Sequence, residues 1–108
     1  MNNPLLSTLQ SYYEEDPNDP FNVYALAIEY TKHDAAEAKV YFKILLNEHP
    51  EYLATYYQAG AFFAEQNDFE TAETVYKKGI ELARAQKNLK TQQELQRAYN
   101  NFLEELED

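Results

Sequence analysis

The chain has 108 residues, no cysteine, only two glycines and four prolines, and a formal net charge of −10. The absence of cysteine excludes disulfide frameworks, thiol catalysis and cysteine-ligated zinc. The scarcity of glycine and proline favours helices, and the length is that of a single domain. The negative charge repels nucleic acid and anionic membranes over about 8 Å at physiological salt, so basic or apolar partners are expected.

A short first helix is predicted at residues 4–16. Leu5, Leu9 and Tyr12 recur at helical spacing, and the helix is expected to stop before Pro17, because the residue preceding a proline disfavours the helical conformation. The same marks recur 33 residues later, close to the length of a helix-turn-helix repeat unit, so this segment is interpreted as a leading half-repeat. The later marks are Ala38, Phe42, Leu45 and Pro50.

The first full repeat is predicted at residues 20–52. Asp19 and the proline that follows it form a helix start, because aspartate accepts hydrogen bonds from free backbone N–H groups. This helix is expected to run to about Lys32, and a second, broadly apolar helix follows, with Asp34 and Glu37 resembling a capping box at its start. The buried stripe of the first helix is predicted to be Val23, Leu26, Ala27 and Tyr30.

A second repeat is predicted at residues 53–86, because the same plan recurs there after one repeat length. No proline occupies the place of Pro50, so the second helix of this repeat is expected to run longer. The marks of its first helix, which match the first stripe in order, are Tyr56, Ala59, Gly60 and Phe63, and those of its second helix, which match Ala38 and Phe42, are Ala72 and Tyr76.

The last segment, residues 88–107, is predicted to form one amphipathic helix. Its apolar residues fall on a single face at helical spacing. The positions one repeat length after the second stripe are polar or charged, so the helix is interpreted as a cap that ends the stack of repeats. The apolar residues are Leu95, Tyr99, Phe102, Leu103 and Leu106.

The spacing of small and large residues in both repeats resembles the tetratricopeptide repeat. The resemblance covers residues 20–86, although Val23 and Tyr56 stand where the family has tryptophan, and Leu45 and Gly79 stand where it has a second small alanine. It implies an all-α fold: a right-handed α-solenoid of antiparallel helix pairs, about six helices in one domain spanning residues 1–108. It also implies that the first helices line a concave groove that binds a peptide or protein segment.

The resemblance assigns the groove to first-helix residues beside the packing stripe. Two readings remain open: an aromatic-lined groove that docks a partner segment through apolar anchors, or a groove that the last helix fills, with its tyrosines in the core. The first predicts a non-catalytic adaptor or scaffold, and the alternative is a homodimer-forming, structural module. The groove residues are Phe21, Tyr24, Ile28, Lys32, Tyr57, Ala61 and Glu65.

One subset of the family holds acidic carboxyl-terminal peptides with cations in the groove. The matching positions here carry no cation to neutralise a carboxylate, so an apolar or basic segment is expected instead. Glu29 and Glu65 are either weak, salt-sensitive contributors to such binding or a solvated surface. The matching positions are Tyr24, Ile28, Gln58, Asn88 and Gln92.

No catalytic, cofactor or metal site is predicted. His33 and His49 flank a helix of about 14 residues, which puts them roughly 20 Å apart, too far to share a ligand. Neither a glycine-rich phosphate loop nor a basic stripe for nucleic acid is present. No stretch approaches the roughly 20 apolar residues of a membrane span, and the amino terminus lacks a secretory pattern, so a soluble, cytoplasmic protein is expected.

Overall fold

The computed structural model describes residues 3–107, and these form six α-helices and no strand. The predicted all-α fold class and the predicted number of helices are confirmed. Met1, Asn2 and Asp108, which are the ends of the predicted domain, lie outside the described residues. The helices are α1 (Pro4–Glu15), α2 (Pro20–Tyr30), α3 (Ala35–Glu48), α4 (Ala54–Glu65), α5 (Phe69–Ala85) and α6 (Leu89–Glu107).

The chain divides into two compact units, one ending at Tyr52 and the other beginning at Leu53. The first unit holds α1, α2 and α3, and the second holds α4, α5 and α6. The division falls where the sequence analysis separates the two repeats. The prediction of one domain over the whole chain stays a prediction.

Polar side chains cap most of the helix starts. Asp19 accepts a hydrogen bond from the backbone N–H of Phe21 at 2.9 Å, as the sequence predicted. Asp34 accepts from the N–H of Glu37 at 3.3 Å, which confirms the predicted cap of α3. Such caps satisfy N–H groups that have no partner inside the helix, and each contributes about 1 kcal/mol.

The core of the first unit lies between α2 and α3. All four residues of the predicted α2 stripe are buried, so the periodic pattern correctly identified the inner face of the helix. On the facing side of α3, Ala38, Phe42 and Leu45 have no exposed surface. Helix α2 ends at Tyr30, shortly before the predicted end at Lys32, because residues 31–33 turn the chain toward α3.

The periodic apolar residues of α1 do not form a buried face. Leu5 and Tyr12 are 53% and 52% exposed, and no residue of α1 is buried. The contacts of α1 instead run through Gln10, whose side-chain amide donates to the hydroxyl of Tyr30 at 2.6 Å, and through the ring of Tyr13. In the repeat register, Leu5 and Tyr12 correspond to Ala38 and Leu45, which are buried in the α2–α3 pair. Within residues 3–107, α1 has no partner helix in the place that α2 takes beside α3.

The second unit contains the α4–α5 pair, and two glycines allow its helices to approach closely. A Cβ atom on Gly60 would lie 2.5 Å from Cε1 of Tyr76, and one on Gly79 would lie 2.5 Å from Cβ of Tyr56. The predicted stripe of α4 is buried. Helix α5 has 17 residues against 14 in α3, which confirms that the second helix of this repeat runs longer.

Helix α6 packs on α5 and α4 through Leu95, which is fully buried, and Phe102. The marks that α6 lacks at one repeat length occur further along the same helix, and its role as a cap stays a prediction. They follow the α4 stripe by more than one repeat length, since the longer α5 and its turn insert extra residues. The displaced marks are Leu95, Ala98, Tyr99 and Phe102, matching Tyr56, Ala59, Gly60 and Phe63.

Candidate functional site

The second unit contains a cleft of about 490 Å³ between α4 and α6, with α5 at its floor. Helices α4 and α6 supply the two walls, because each carries the first-helix pattern and presents the residues beside its buried stripe. The lining residues are Tyr57, Ala61, Ala64, Glu65 and Asn67 from α4 and its turn, Phe69 and Tyr76 from α5, and Ala98, Asn101, Phe102, Glu105 and Leu106 from α6.

Three of the predicted groove residues, Tyr57, Ala61 and Glu65, line this one cleft. They follow each other at every fourth position, which places them on one face of α4. Tyr57 is 46% exposed. The α4 part of the predicted groove is therefore accessible, with α6 forming its opposite wall.

The apolar residues of α6 lie against α5. The ring of Phe102 is 6.2 Å from that of Phe69 and 5.8 Å from that of Tyr76, and Tyr99 is 6.2 Å from Tyr76. The hydroxyl of Tyr99 also donates to Glu73 at 2.9 Å, which fixes α6 to α5. Within the second unit, this packing favours the reading of an open groove over one filled by the last helix.

Tyr76 forms the floor of the cleft. Its residue surface is 4% exposed, and its ring passes over Gly60, where a side chain would collide with it. Burial raises the pKa of Tyr76, and electrostatic interactions with Tyr57, Glu105 and Glu65 act in the same direction. The hydroxyl is therefore a neutral phenol at physiological pH, close to the two acidic side chains of the cleft.

The cleft is acidic. Glu65 on α4 and Glu105 on α6 are both exposed, and the other lining residues carry no charge. Across residues 3–107, the ion pairs of the structure involve Glu29 and Glu81 and neither of these two carboxylates. Two negative charges thus face a partly apolar space with no cation of the chain between them.

The remaining predicted groove residues belong to the first unit. Phe21 is 58% exposed at the start of α2, and Ile28 is half-buried. Tyr24 is half-buried, with its ring edge-on to Tyr52 at 5.8 Å. Lys32 lies beyond the end of α2 and pairs with a glutamate, so it was wrongly placed on the helix.

Glu29 differs from the solvated residue that the sequence allowed. It is buried, with its carboxylate oxygens 2.9 Å from Nε2 of His33 and 3.4 Å from Nζ of Lys32. The hydrogen bond with His33 lowers the pKa of Glu29, and burial opposes part of that effect. His33 Nε2 is also 3.0 Å from Nδ2 of Asn3, so this polar cluster joins the start of α1 to the turn after α2.

Within residues 3–107, no three side chains of the metal-ligating types come together, and no helix combines the length and apolar character needed to cross a bilayer. His49 ends α3, where its backbone N–H donates to the carbonyl of Leu45 at 2.9 Å.

The α6 wall and the floor of the cleft were not predicted from the sequence. Asn101 and Glu105 were not identified because α6 was interpreted as a cap. The displaced stripe was the available signal: aligning Phe102 with Phe63 makes α6 a further first helix and brings its neighbouring residues into the groove. Tyr76 was identified only as a repeat mark.

No protein-family model and no curated protein matches the sequence significantly. Solved structures of tetratricopeptide repeat domain proteins resemble it. A solution NMR structure of a tetratricopeptide repeat domain protein from Salinibacter ruber is 40% identical, covering 81% of this chain and 89% of that chain, with a TM-score of 0.75. A crystal structure of a tetratricopeptide repeat domain protein from the same organism is 38% identical, covering 78% of this chain and 96% of that chain, with a TM-score of 0.73.

Proposed function

Because the chain belongs to the tetratricopeptide repeat family, we propose that it is a non-catalytic adaptor that binds a peptide or protein segment in the cleft between α4 and α6. The observation that carries this proposal is the accessible Tyr57 at a cleft lined by three predicted groove residues. An aromatic ring with a polar tip supplies contact area and orientation together, as anchors of protein interfaces do.

The exposed apolar surface supports this location. Tyr57, Phe69 and Leu106 are 46%, 43% and 45% exposed, and all three line the cleft. Single exposed apolar side chains need no explanation, but several that converge on one concave site mark an interaction surface. The volume of about 490 Å³ lies within the range of about 300 to 1,000 Å³ usual for ligand sites, enough for a few side chains of a bound segment.

We propose a second contact region in the first unit, formed by Phe21, Tyr24 and Ile28 on α2, with Lys32 at its edge. Phe21 is the most exposed of these apolar residues. Its substitution by alanine is expected to weaken binding of a segment at this region while leaving α2 folded, because Phe21 lies in the first turn outside the buried stripe.

The proposal can be tested with peptides selected from a random dodecapeptide display library on the whole chain, with affinities measured by fluorescence anisotropy. Tyr57→Ala is expected to weaken binding at least about fivefold, the loss of about 1 kcal/mol typical of a contributing interface residue. Tyr12→Ala is the matched control, because Tyr12 is similarly exposed on α1, outside the cleft. Unchanged affinity of Tyr57→Ala, or NMR shift changes confined to other surfaces, would contradict the proposal.

Self-association is the second candidate function, and the exposed stripe of α1 favours it. Leu5 and Tyr12 present an apolar face that a second copy of the chain could cover. Light scattering over a range of concentrations separates the alternatives. A dimer that Leu5→Glu dissociates supports this function, and a monomer at all concentrations excludes stable self-association.

A further inference from the structure

We propose that the cleft accepts an arginine side chain of the bound segment, with its guanidinium between Glu65 and Glu105 and against the ring of Tyr57. This inference rests on the proposed function and specifies the chemistry of the partner. It goes beyond a general preference for basic partners, because it assigns one side chain to one place in the fold.

Charge complementarity is the first argument. Glu65 and Glu105 reach the cleft from different helices, and neither has an ion-pair partner among the described residues. Two carboxylates on opposite walls repel each other, and a cation between them removes that repulsion while forming two charge-assisted contacts. The net charge of −10 adds long-range attraction for a basic segment.

The hydroxyl of Tyr76 is an independent argument. Tyr76 is more than nine-tenths buried and lines the cleft. Its hydroxyl makes no side-chain hydrogen bond within the described residues and is not among their fully buried unpartnered polar atoms, so it is open to the cleft. A neutral phenol oxygen can accept an N–H donor from a ligand, and a donor placed there also lies close to Glu65 and Glu105, which act electrostatically on Tyr76. The floor and both walls thus present acceptors toward the same space.

Arginine fits this space better than lysine. Its planar guanidinium carries five N–H donors in a fixed geometry, so it can contact two carboxylates and a phenol oxygen at once, whereas an ammonium is a compact, strongly hydrated charge. A guanidinium also stacks on an aromatic face, and Tyr57 offers an exposed ring. The apolar lining, including Ala61 and Phe102, can cover the methylene groups of the arginine.

The site is specific to the second unit. In the repeat register, Glu65 corresponds to Lys32 and Tyr76 corresponds to Phe42, so the first repeat has a cation and an apolar ring at these positions. The fold of a repeat therefore does not require a carboxylate or a hydroxyl at these two positions, because the first repeat folds without them.

The experiment is an NMR titration of the isotope-labelled full chain with N-acetylarginine N-methylamide. The citrulline analogue serves as the neutral isostere. We expect saturable shifts at the backbone amides of Ala61, Ala98 and Asn101, and binding of the citrulline analogue at least about tenfold weaker, because it cannot form the charged contacts. Absence of saturable shifts in the cleft, or equal affinity for the two compounds, would overturn the inference.

Variants of the acceptors test the assignment. Glu65→Gln and Glu105→Gln are each expected to weaken binding of the arginine compound about fivefold, and Tyr76→Phe about twofold. Glu94→Gln removes the same charge from an exposed position of α6 outside the cleft, so it should leave affinity unchanged. If Glu65→Gln and Glu105→Gln bind like the unmodified protein, or if Glu94→Gln weakens binding as much, the assignment is wrong.

Failure of this inference differs from failure of the proposed function. If display-selected peptides bind the cleft through Tyr57 but keep their affinity when each arginine is replaced by citrulline, the inference is overturned and the adaptor function stands. If the arginine compound binds the cleft while the selected peptides bind elsewhere, the proposed function fails and the cation site remains.

Discussion

The two helix pairs, α2–α3 and α4–α5, share one repeat register but distribute side-chain volume in opposite ways. In the first pair, the positions equivalent to Tyr56 and Gly79 hold Val23 and Leu45, and both are fully buried. In the second pair, the large residue is on α4 and the small one on α5. A buried core tolerates such exchanges when the summed volume is preserved, so the repeat fixes positions rather than residue types.

A second exchange connects packing with the candidate site. Ala27 and Phe42 in the first pair correspond to Gly60 and Tyr76 in the second. The missing methyl group at position 60 leaves room for the ring of Tyr76, which lines the cleft and carries a hydroxyl that Phe42 lacks. The second pair therefore has a smaller residue on α4, Gly60, and a polar residue at the floor of the cleft, Tyr76. The first pair has Ala27 and Phe42 at the same positions and so lacks the hydroxyl.

The largest effect is expected for Gly79→Leu, which copies the residue of the first pair into the second. Its Cβ would lie 2.5 Å from Cβ of Tyr56, an atom that cannot move without its backbone. Overpacking of this kind costs about 1 to 3 kcal/mol and sometimes more, and we expect at least about 3 kcal/mol here. The free energy of unfolding from urea denaturation measures this change.

The compensating variant sharpens this test. Tyr56→Val with Gly79→Leu reproduces both residues of the first pair, so the double variant is expected to regain at least half of the lost stability. If the stability changes of the two substitutions simply add, the side chains at positions 56 and 79 do not compete for the same space. The exchange between the pairs would then be coincidental.

A smaller loss is expected for Gly60→Ala. The added Cβ meets the ring of Tyr76 at 2.5 to 2.7 Å, which costs more than the roughly 1 kcal/mol that alanine gains over glycine in a helix. The net loss should be about 1 kcal/mol, seen as a lower thermal midpoint. In a Tyr76→Leu background the ring is absent, and the same substitution should stabilise instead. An unchanged midpoint in the unmodified background would refute the close approach at Gly60.

A gain in stability is expected for Lys87→Gly, at a turn that only the second unit contains. Lys87 has a φ of 58°, in the left-handed region that disfavours residues with a Cβ. Glycine should stabilise by about 0.5 to 1 kcal/mol in urea denaturation, because it removes that penalty. Asn67, with a φ of 63°, provides the comparison: asparagine tolerates this conformation, so Asn67→Gly should gain less. Equal gains would mean that side-chain type does not matter at these turns.

Helical periodicity and capping residues predicted most of the α2–α3 and α4–α5 pairs, but they predicted less about α1 and α6, which lie beside these pairs. The stripes of α2 and α4 and the caps at Asp19 and Asp34 depend on residues a few positions apart, which a sequence displays directly. The exposed face of α1 depends on which neighbour is present, and repeat marks alone do not show that.

The register of α6 and the burial of Glu29 depended on longer-range information. The stripe of α6 follows that of α4 by more than one repeat length, so a search at the period of the first two repeats passes over it. The α6 wall of the cleft was missed for the same reason. The sequence left Glu29 as either a weak contributor to binding or a solvated residue, because its contact with His33 needs the coordinates of both side chains.

The smallest expected effect is a pH dependence of the free energy of unfolding that comes from the first pair and has no counterpart in the second. Glu29 and His33 in the first pair correspond to Phe62 and Gln66 in the second, so only the first contains this contact. The pKa of Glu29 is lowered from its ordinary value of 4.5, chiefly by the hydrogen bond with His33. A lowered pKa means that the folded state favours the carboxylate, so the stabilisation is complete above about pH 4.5 and is lost as the pH falls through the pKa of the folded state. Glu29→Gln should therefore reduce the free energy of unfolding more at pH 6 than at pH 3.5. In a His33→Gln background this pH dependence should diminish, and its full persistence there would assign it to the ion pair of Glu29 with Lys32 instead of the hydrogen bond with His33.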